Sequence, residues 1–192
     1  MFNLLKIKKM KNIIVFLATG FEEIEAVAPI DVWRRAGFDV KTISITGEKA
    51  VTGSHGITVT ADYLFDKSIC KDADLLFLPG GMPGSANLDK HEGLRSVILD
   101  FNKENKYITA ICAAPFVLGH NGILKDKKAT CYPGYEKELH GAIATGKSIE
   151  KDGKIITGKG PGVAMEFALE IVSVLKSKMD ADKLAEQMQI VN

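Results

Sequence analysis

Cysteine is scarce in this chain, with three residues, Cys70, Cys112 and Cys131, among 192. So few exclude a disulfide framework and read as reduced thiols of a cytoplasmic protein. A surplus of one charge sign is absent too. Twenty-five basic residues face 24 acidic ones, a net of +1, which argues against nucleic acid or an anionic membrane as partner. No apolar run approaches the ~20 residues that span a bilayer. There is no Gly-x-Ser-x-Gly elbow. No Cys-x-x-Cys or His/Cys cluster has zinc spacing, so no metal is expected. His55, His91, His120 and His140 are scattered and read as surface or capping residues. His91 is placed to begin a helix, and His120 to end one, where a cation is favourable.

What is present is enough apolar material for one sizeable core, 46% of the chain, in a length that fits one domain. Residues 1–10 read as an N-terminal extension from an upstream start. Their lysines follow the short apolar run, the reverse of a signal peptide. Residues 11–192 form the expected domain.

Asn12–Ala18 is a continuous apolar run, as a strand covered on both faces requires. Helical periodicity follows over Glu22–Ala36, with Gly37 closing the helix. Strands are expected at Phe38–Ile45, Ala73–Pro79 and Tyr107–Ile111, with a short one at Lys128–Tyr132. Val51–Ala61 suggests an irregular β excursion. Ser148–Gly158 reads as a hairpin turning at Asp152-Gly153. Further helices are expected over His91–Asn105, after Cys112, over Val163–Lys176, and over Asp180–Ile190 with Asp180 as N-cap. Strands alternating with helices predict an α/β fold whose mostly parallel sheet is covered by helices on both faces. In such sheets ligands bind beyond the carboxyl ends of the strands. The Gly20 turn, the Gly80-Gly81 turn and Cys112 all fall at that edge.

Cys112 follows a β-branched apolar run and precedes Ala113-Ala114-Pro115. A thiol at a strand-to-helix turn meets free N–H groups and the positive end of a helix dipole, and both favour thiolate. A buried core cysteine is the competing reading. Glu22 and Glu23 suit a helix N-terminus as dipole partners. Glu25, one turn in, is either solvated or turned toward Cys112, where burial and a neighbouring thiolate would raise its pKa. Gly80-Gly81 either offers backbone N–H groups to a ligand oxygen or is a plain tight turn. Gly141–Ser148 matches the P-loop pattern letter for letter, but it runs into a hairpin instead of a helix, so nucleotide binding is not expected.

Five stretches in one order resemble the ThiJ/PfpI superfamily, on the branch of the Parkinsonism-associated protein deglycase. They are Gly20-Phe21-Glu22-Glu23-Ile24-Glu25, Asp31–Gly37, Leu78-Pro79-Gly80-Gly81, Ala110–Pro115, and Gly160-Pro161-Gly162 with Glu166–Leu169. The resemblance implies a flavodoxin-like three-layer sandwich, a homodimer and no cofactor. It implies Cys112 as nucleophile and oxidation-sensitive thiol, with Glu25 as its protonated partner. It also implies Gly81 and Ala113 N–H groups as oxyanion donors. Gly80, Arg35, Tyr132 and Pro161 fall in the pocket or are contributed across the dimer, with Trp33 and Ile24 on the interface helix. The implied activity is glyoxalase or deglycase chemistry on small 2-oxoaldehydes and on glycated thiols and amines, as a hydrolase or lyase in the stress response. The alternative is a redox sensor or chaperone using the same cysteine. A peptidase is disfavoured, because Ala113 stands where the peptidase-like branch has histidine.

Overall fold

Alternation along the first strand sorts the molecule into layers. In the computed structural model, which describes residues 10–190, β1 spans Asn12–Leu17. Its Ile13, Val15 and Leu17 pack on one face of the sheet, and Ile14 and Phe16 on the other. All five are fully buried, because a strand covered on both sides has no polar face. Residues 1–9 of the expected extension lie outside the described residues.

The elements follow in the order β1, α1 (Glu23–Arg35), β2 (Asp39–Ser44), β3 (Ala50–Thr52), β4 (Thr58–Thr60), β5 (Tyr63–Leu64), β6 (Leu75–Leu78), α2 (Gly84–Lys90) and α3 (Glu92–Lys103). Then come β7 (Tyr107–Ile111), α4 (Pro115–His120), β8 (Lys128–Ala129), β9 (Ile143–Ala144), β10 (Ile149–Asp152), β11 (Ile155–Gly158), α5 (Ala164–Leu175) and α6 (Lys178–Gln187). Seven strands make the main sheet in the order β10-β11-β7-β6-β1-β2-β5. All neighbours are parallel except β10 and β11. Helices α1, α5 and α6 cover one face, and α2, α3 and α4 the other. This is the expected flavodoxin-like sandwich.

The strand order reverses at β1. The chain leaves it through α1 to β2 on one side and returns to β6 on the other. Crossovers that depart to opposite faces open a crevice between the two strand ends. Gly20 ends one bank of that crevice and Gly80 the other.

Most expected elements are present within a residue or two. The hairpin turns at Gly153, φ +61°, as its sequence requires. His91 caps α3, its Nδ1 accepting from the Leu94 N–H at 3.0 Å. Three expectations need correction. Ser177, not Asp180, caps α6, because its hydroxyl accepts the Asp180 N–H at 3.1 Å. The strand expected over Lys128–Tyr132 is only Lys128–Ala129. Trp33, expected on an interface helix, is a core residue and not a surface one. It is fully buried, its indole N–H donates to Ala168 O at 3.0 Å, and its ring meets Phe77 edge-on at 5.0 Å. The Gly141–Ser148 stretch leads into strand β10, and Lys147 pairs with Glu150 at 3.2 Å. A strand and not a helix follows it, so it lacks the helix N-terminus of a phosphate cradle. No helix among the described residues is long and apolar enough to cross a membrane.

Candidate active site

Two glycine turns clasp each other at the crevice. The Glu22 N–H donates to Gly80 O at 2.8 Å, and the Gly84 N–H to Gly20 O at 3.1 Å. Gly81 has φ +89°, and a Cβ there would strike the backbone of Gly20, Phe21 and Glu22. Only glycine permits that approach.

The clasp aims α1. Glu22 is its N-cap and accepts the Glu25 N–H at 2.7 Å. One turn on, the Glu25 side chain points inward and is 0% exposed. Its Oε2 accepts the Gly80 N–H at 3.0 Å. Its Oε1 is buried without a nitrogen or oxygen partner. Burial pushes the carboxyl up to about 7, and the Glu22 charge adds to the effect. Cys112 and the Gly80 N–H oppose it. The solvated alternative for Glu25 is excluded.

Cys112 directly follows β7 in the left-handed region, φ +62°, which residues other than glycine, asparagine and aspartate seldom enter. Its N–H donates to Gly158 O at 2.9 Å, and its C=O accepts the Tyr132 N–H at 2.7 Å. With its backbone pinned on both sides, the sulfur faces the Glu25 carboxyl and the N–H groups of Gly81 and Ala113. Gly80 is the spacer of this group, since a Cβ there would collide with Glu25 Oε2 and lie 2.6 Å from Cys112 Cβ.

The expected low-pKa thiol is not what the chain holds while Glu25 is ionised. Burial, then the Glu25 charge and its hydrogen bond, push Cys112 up to about 12, against the pull of the Gly81 and Ala113 N–H groups. Helix α4 helps little, being only six residues long. Its first turn is already bonded, Phe116 N–H to Ala113 O and Val117 N–H to Ala114 O, both at 3.0 Å. Protonating Glu25 removes the repulsion and supplies a donor, so the thiolate depends on where this pair keeps its proton.

An open cleft of about 570 Å³ leads to Cys112, between Ile24, Ile57, His55, Tyr132 and Pro161. Tyr132 stands half-exposed at the rim, its ring resting on Gly160, where a Cβ would lie 3.2 Å from it. Arg35 is elsewhere. It sits ten residues along α1 from Glu25, roughly 15 Å, paired with Asp31 at 2.6 Å. It does not line the cleft.

Sequence reading missed two residues here. Glu23 is buried and grips the β3–β4 turn. Its Oε1 accepts the His55 N–H at 2.7 Å and the Ile57 N–H at 3.3 Å, and its Oε2 meets His55 Nδ1 at 2.8 Å. Gly53 leaves room for this carboxylate. Ser54-His55-Gly56 between two short strands was the available signal. Burial alone would raise Glu23, but the His55 side chain and backbone and the Ile57 N–H hold it down at about 2. The same contact raises His55 above its ordinary 6.5.

The Glu23 contribution is present above about pH 4.5 and lost as pH falls toward 2. The His55 contribution is present below about 6.5 and lost as pH rises through its raised pKa. The melting-temperature gap between wild type and Glu23→Gln should therefore be widest between pH 4.5 and 6.5. A gap that is flat across pH would show that the clamp is not ionic.

The same architecture occurs in proteins already known. The chain is 39% identical over 173 residues to Protein DJ-1 homolog B of Arabidopsis thaliana, covering 89% of this chain and 40% of that protein. It thus spans less than half the length of that plant protein. It is 33% identical over 182 residues to Protein dj-1beta of Drosophila melanogaster, covering 94% of this chain and 97% of that one. The solved structure of oxidized Toxoplasma gondii DJ-1 superposes with a TM-score of 0.89 at 34% identity, over 95% of this chain and all of that one. A profile of the DJ-1/PfpI family matches residues 11–174. That stretch runs from β1 into α5 and contains every residue of the clasp, the Cys112 turn and the cleft, so the chain belongs to the DJ-1/PfpI family.

Proposed function

We propose that this protein is a cysteine-dependent, cofactor-free enzyme that converts small 2-oxoaldehydes to 2-hydroxy acids and reverses their early adducts on thiols and amines. The observation that carries this reading is the pair of Cys112 and Glu25. A thiol in a strained turn faces two backbone N–H groups, with a carboxyl behind it that titrates near pH 7. A group that both holds and releases a proton at working pH suits general acid–base catalysis.

The Cys112–Glu25 pair carries one negative charge, and its reactive form keeps the proton on Glu25 and the charge on sulfur. The thiolate adds to the aldehyde carbon, and the carbonyl electron pair moves to oxygen. The Gly81 and Ala113 N–H groups receive that oxyanion, a role worth ~3–4 kcal/mol per donor in well-studied sites. Glu25 gives its proton to the oxygen, takes the hydrogen from the former aldehyde carbon as a proton, and returns it to the adjacent carbon, while the proton on the first oxygen passes to the second, so that the first becomes the thioester carbonyl and the second the hydroxyl. The first carbon is oxidised by two electrons and the second reduced by two, so no external acceptor is needed. Water then cleaves the resulting thioester, releasing the 2-hydroxy acid and the thiolate. Early adducts of thiols and amines, hemithioacetals and carbinolamines, first lose the thiol or amine, which takes back the hydroxyl proton, and the freed aldehyde carbon is then the one that Cys112 attacks.

A homodimer belongs to this reading. Ile24 and Val27 are exposed on α1 beside the cleft, so a second subunit there would bring in its own Arg35 and Pro161. A reduced, cytoplasmic setting would keep the thiol available.

The test is steady-state turnover of methylglyoxal without glutathione, with lactate as the expected product and none from Cys112→Ser. The second reading is a redox sensor or chaperone in the stress response, in which the protonated Glu25 donates to oxidised sulfur. It is favoured by the oxidized form in which the Toxoplasma relative was solved. Limiting peroxide should modify Cys112 before Cys70 and Cys131, which burial, then the charges of Asp66 and Glu136, holds at about 11, whereas Cys112 has the Glu25 carboxyl to donate to it. Peroxide selectivity without turnover would favour the sensor over the enzyme. Cys70 or Cys131 modified first would sink both readings.

A further inference from the structure

The structure assigns a divalent-metal site to His120, Glu138 and His140, none of which lines the Cys112 cleft. We infer that it takes an ion of borderline softness, of the Zn²⁺ class, through His120 Nε2, Glu138 Oε2 and His140 Nε2.

The three ligand atoms lie within 4.8 Å of one another. His120 Nε2 is 3.1 Å from Glu138 Oε2, and His140 Nε2 is 4.0 Å from the same oxygen. Zinc bonds to nitrogen and carboxylate oxygen of ~2.0–2.2 Å put tetrahedral ligands about 3.3–3.5 Å apart. A small rotation of the exposed His140 ring closes the difference. Two imidazoles and one carboxylate select zinc, copper or nickel over magnesium or calcium, which prefer all-oxygen shells. Three protein ligands leave the fourth position to water.

Three further features mark a built site rather than a chance surface group. Asp89 at the end of α2 accepts from His120 Nδ1 at 2.9 Å. That bond fixes the ring and leaves Nε2 for the ion, as carboxylates do behind metal-bound histidines. Gly119 lies flush on the opposing segment, because a Cβ there would strike Glu138 O and come within 2.8 Å of His140 N. Leu139 is buried, which anchors the segment and leaves its two neighbours, Glu138 and His140, on the surface beside His120. The rings of His120 and His140 are 4.9 Å apart. Binding exchanges the proton between His120 Nε2 and Glu138 for the cation, and that proton goes to solvent.

The test is Zn²⁺ titration of tag-free protein against a chromogenic chelator, with Co²⁺ visible absorption reporting geometry. One equivalent should bind to wild type and equally to Cys112→Ser, which removes the cleft thiol. His140→Ala, at an exposed position, should keep the metal-free melting temperature and lose binding by 100-fold or more. Glu138→Gln should lose it as well, and Asp89→Asn should weaken it by about 10–100-fold. No binding to wild type, undiminished binding to His140→Ala, or loss of binding in Cys112→Ser would each overturn the site.

Discussion

Glu25→Gln should lower methylglyoxal turnover by about 10²–10⁴, the usual worth of a general acid–base group, while making the thiol easier to alkylate. The two effects run in opposite directions for one reason. The amide keeps the volume and offers a donor to sulfur, yet it cannot pass a proton between carbons. It also cannot carry the negative charge that, with burial, pushes Cys112 up to about 12. The pH profile of iodoacetamide alkylation should therefore shift to lower pH as turnover collapses. Glu25→Ala removes the charge and the donor together, and leaves the Gly80 N–H without its 3.0 Å partner. It should lose turnover equally, with a smaller shift in alkylation and a lower melting temperature. If Gln and Ala variants match wild type in both rate and profile, the shuttle mechanism is wrong. Lost turnover with an unmoved alkylation profile would mean that Glu25 does not set the thiol.

Gly80→Ala should lower turnover about 10²-fold without replacing either reacting group. The added methyl has nowhere to go, since Glu25 Oε2, Cys112 Cβ and Ile111 O surround its position. Two of these belong to the pair itself, so relief must come from separating them. Overpacking of this kind costs ~1–3 kcal/mol, and a displacement of about 1 Å at reacting groups costs about 10²-fold in rate. Gly162, also beside the cleft, has open space at its Cβ position, so Gly162→Ala is the matched control and should leave rate and stability near wild type. The measurement is turnover, alkylation rate and melting temperature for both variants. Equal behaviour of the two would remove Gly80 from the account of the site.

How much of this was legible beforehand depended on whether the cause was local. The buried run Asn12–Leu17, the helix that follows it and the hairpin at Gly153 are dictated by residues within a few positions of one another. Side-chain alternation, helical periodicity and left-handed glycine turns need no distant partner. From these alone the α/β order follows, and with it the convergence of the Gly20 turn, the Gly80 turn and Cys112 at one sheet edge. The motifs at those turns were enough to mark the family.

Tertiary structure decided everything that depends on what lies opposite. Glu25 is fully buried because Gly80, 55 residues away, holds its carboxyl. That burial places its titration near 7, and the thiol's own burial, then the Glu25 charge, reverses the expected direction for Cys112. Trp33 faces Ala168 across 135 residues, so its periodicity could not say whether it met a partner subunit or the core. His55 reaches the cleft only because buried Glu23 grips the turn that carries it. His120, Glu138 and His140 have no metal-ligand spacing in the chain and meet only where α4 ends against the segment after it. Pattern along the sequence determined which faces would be apolar and where the chain would turn. Desolvation, charge proximity and ligand convergence belong to contacts between segments, and folding alone sets those distances.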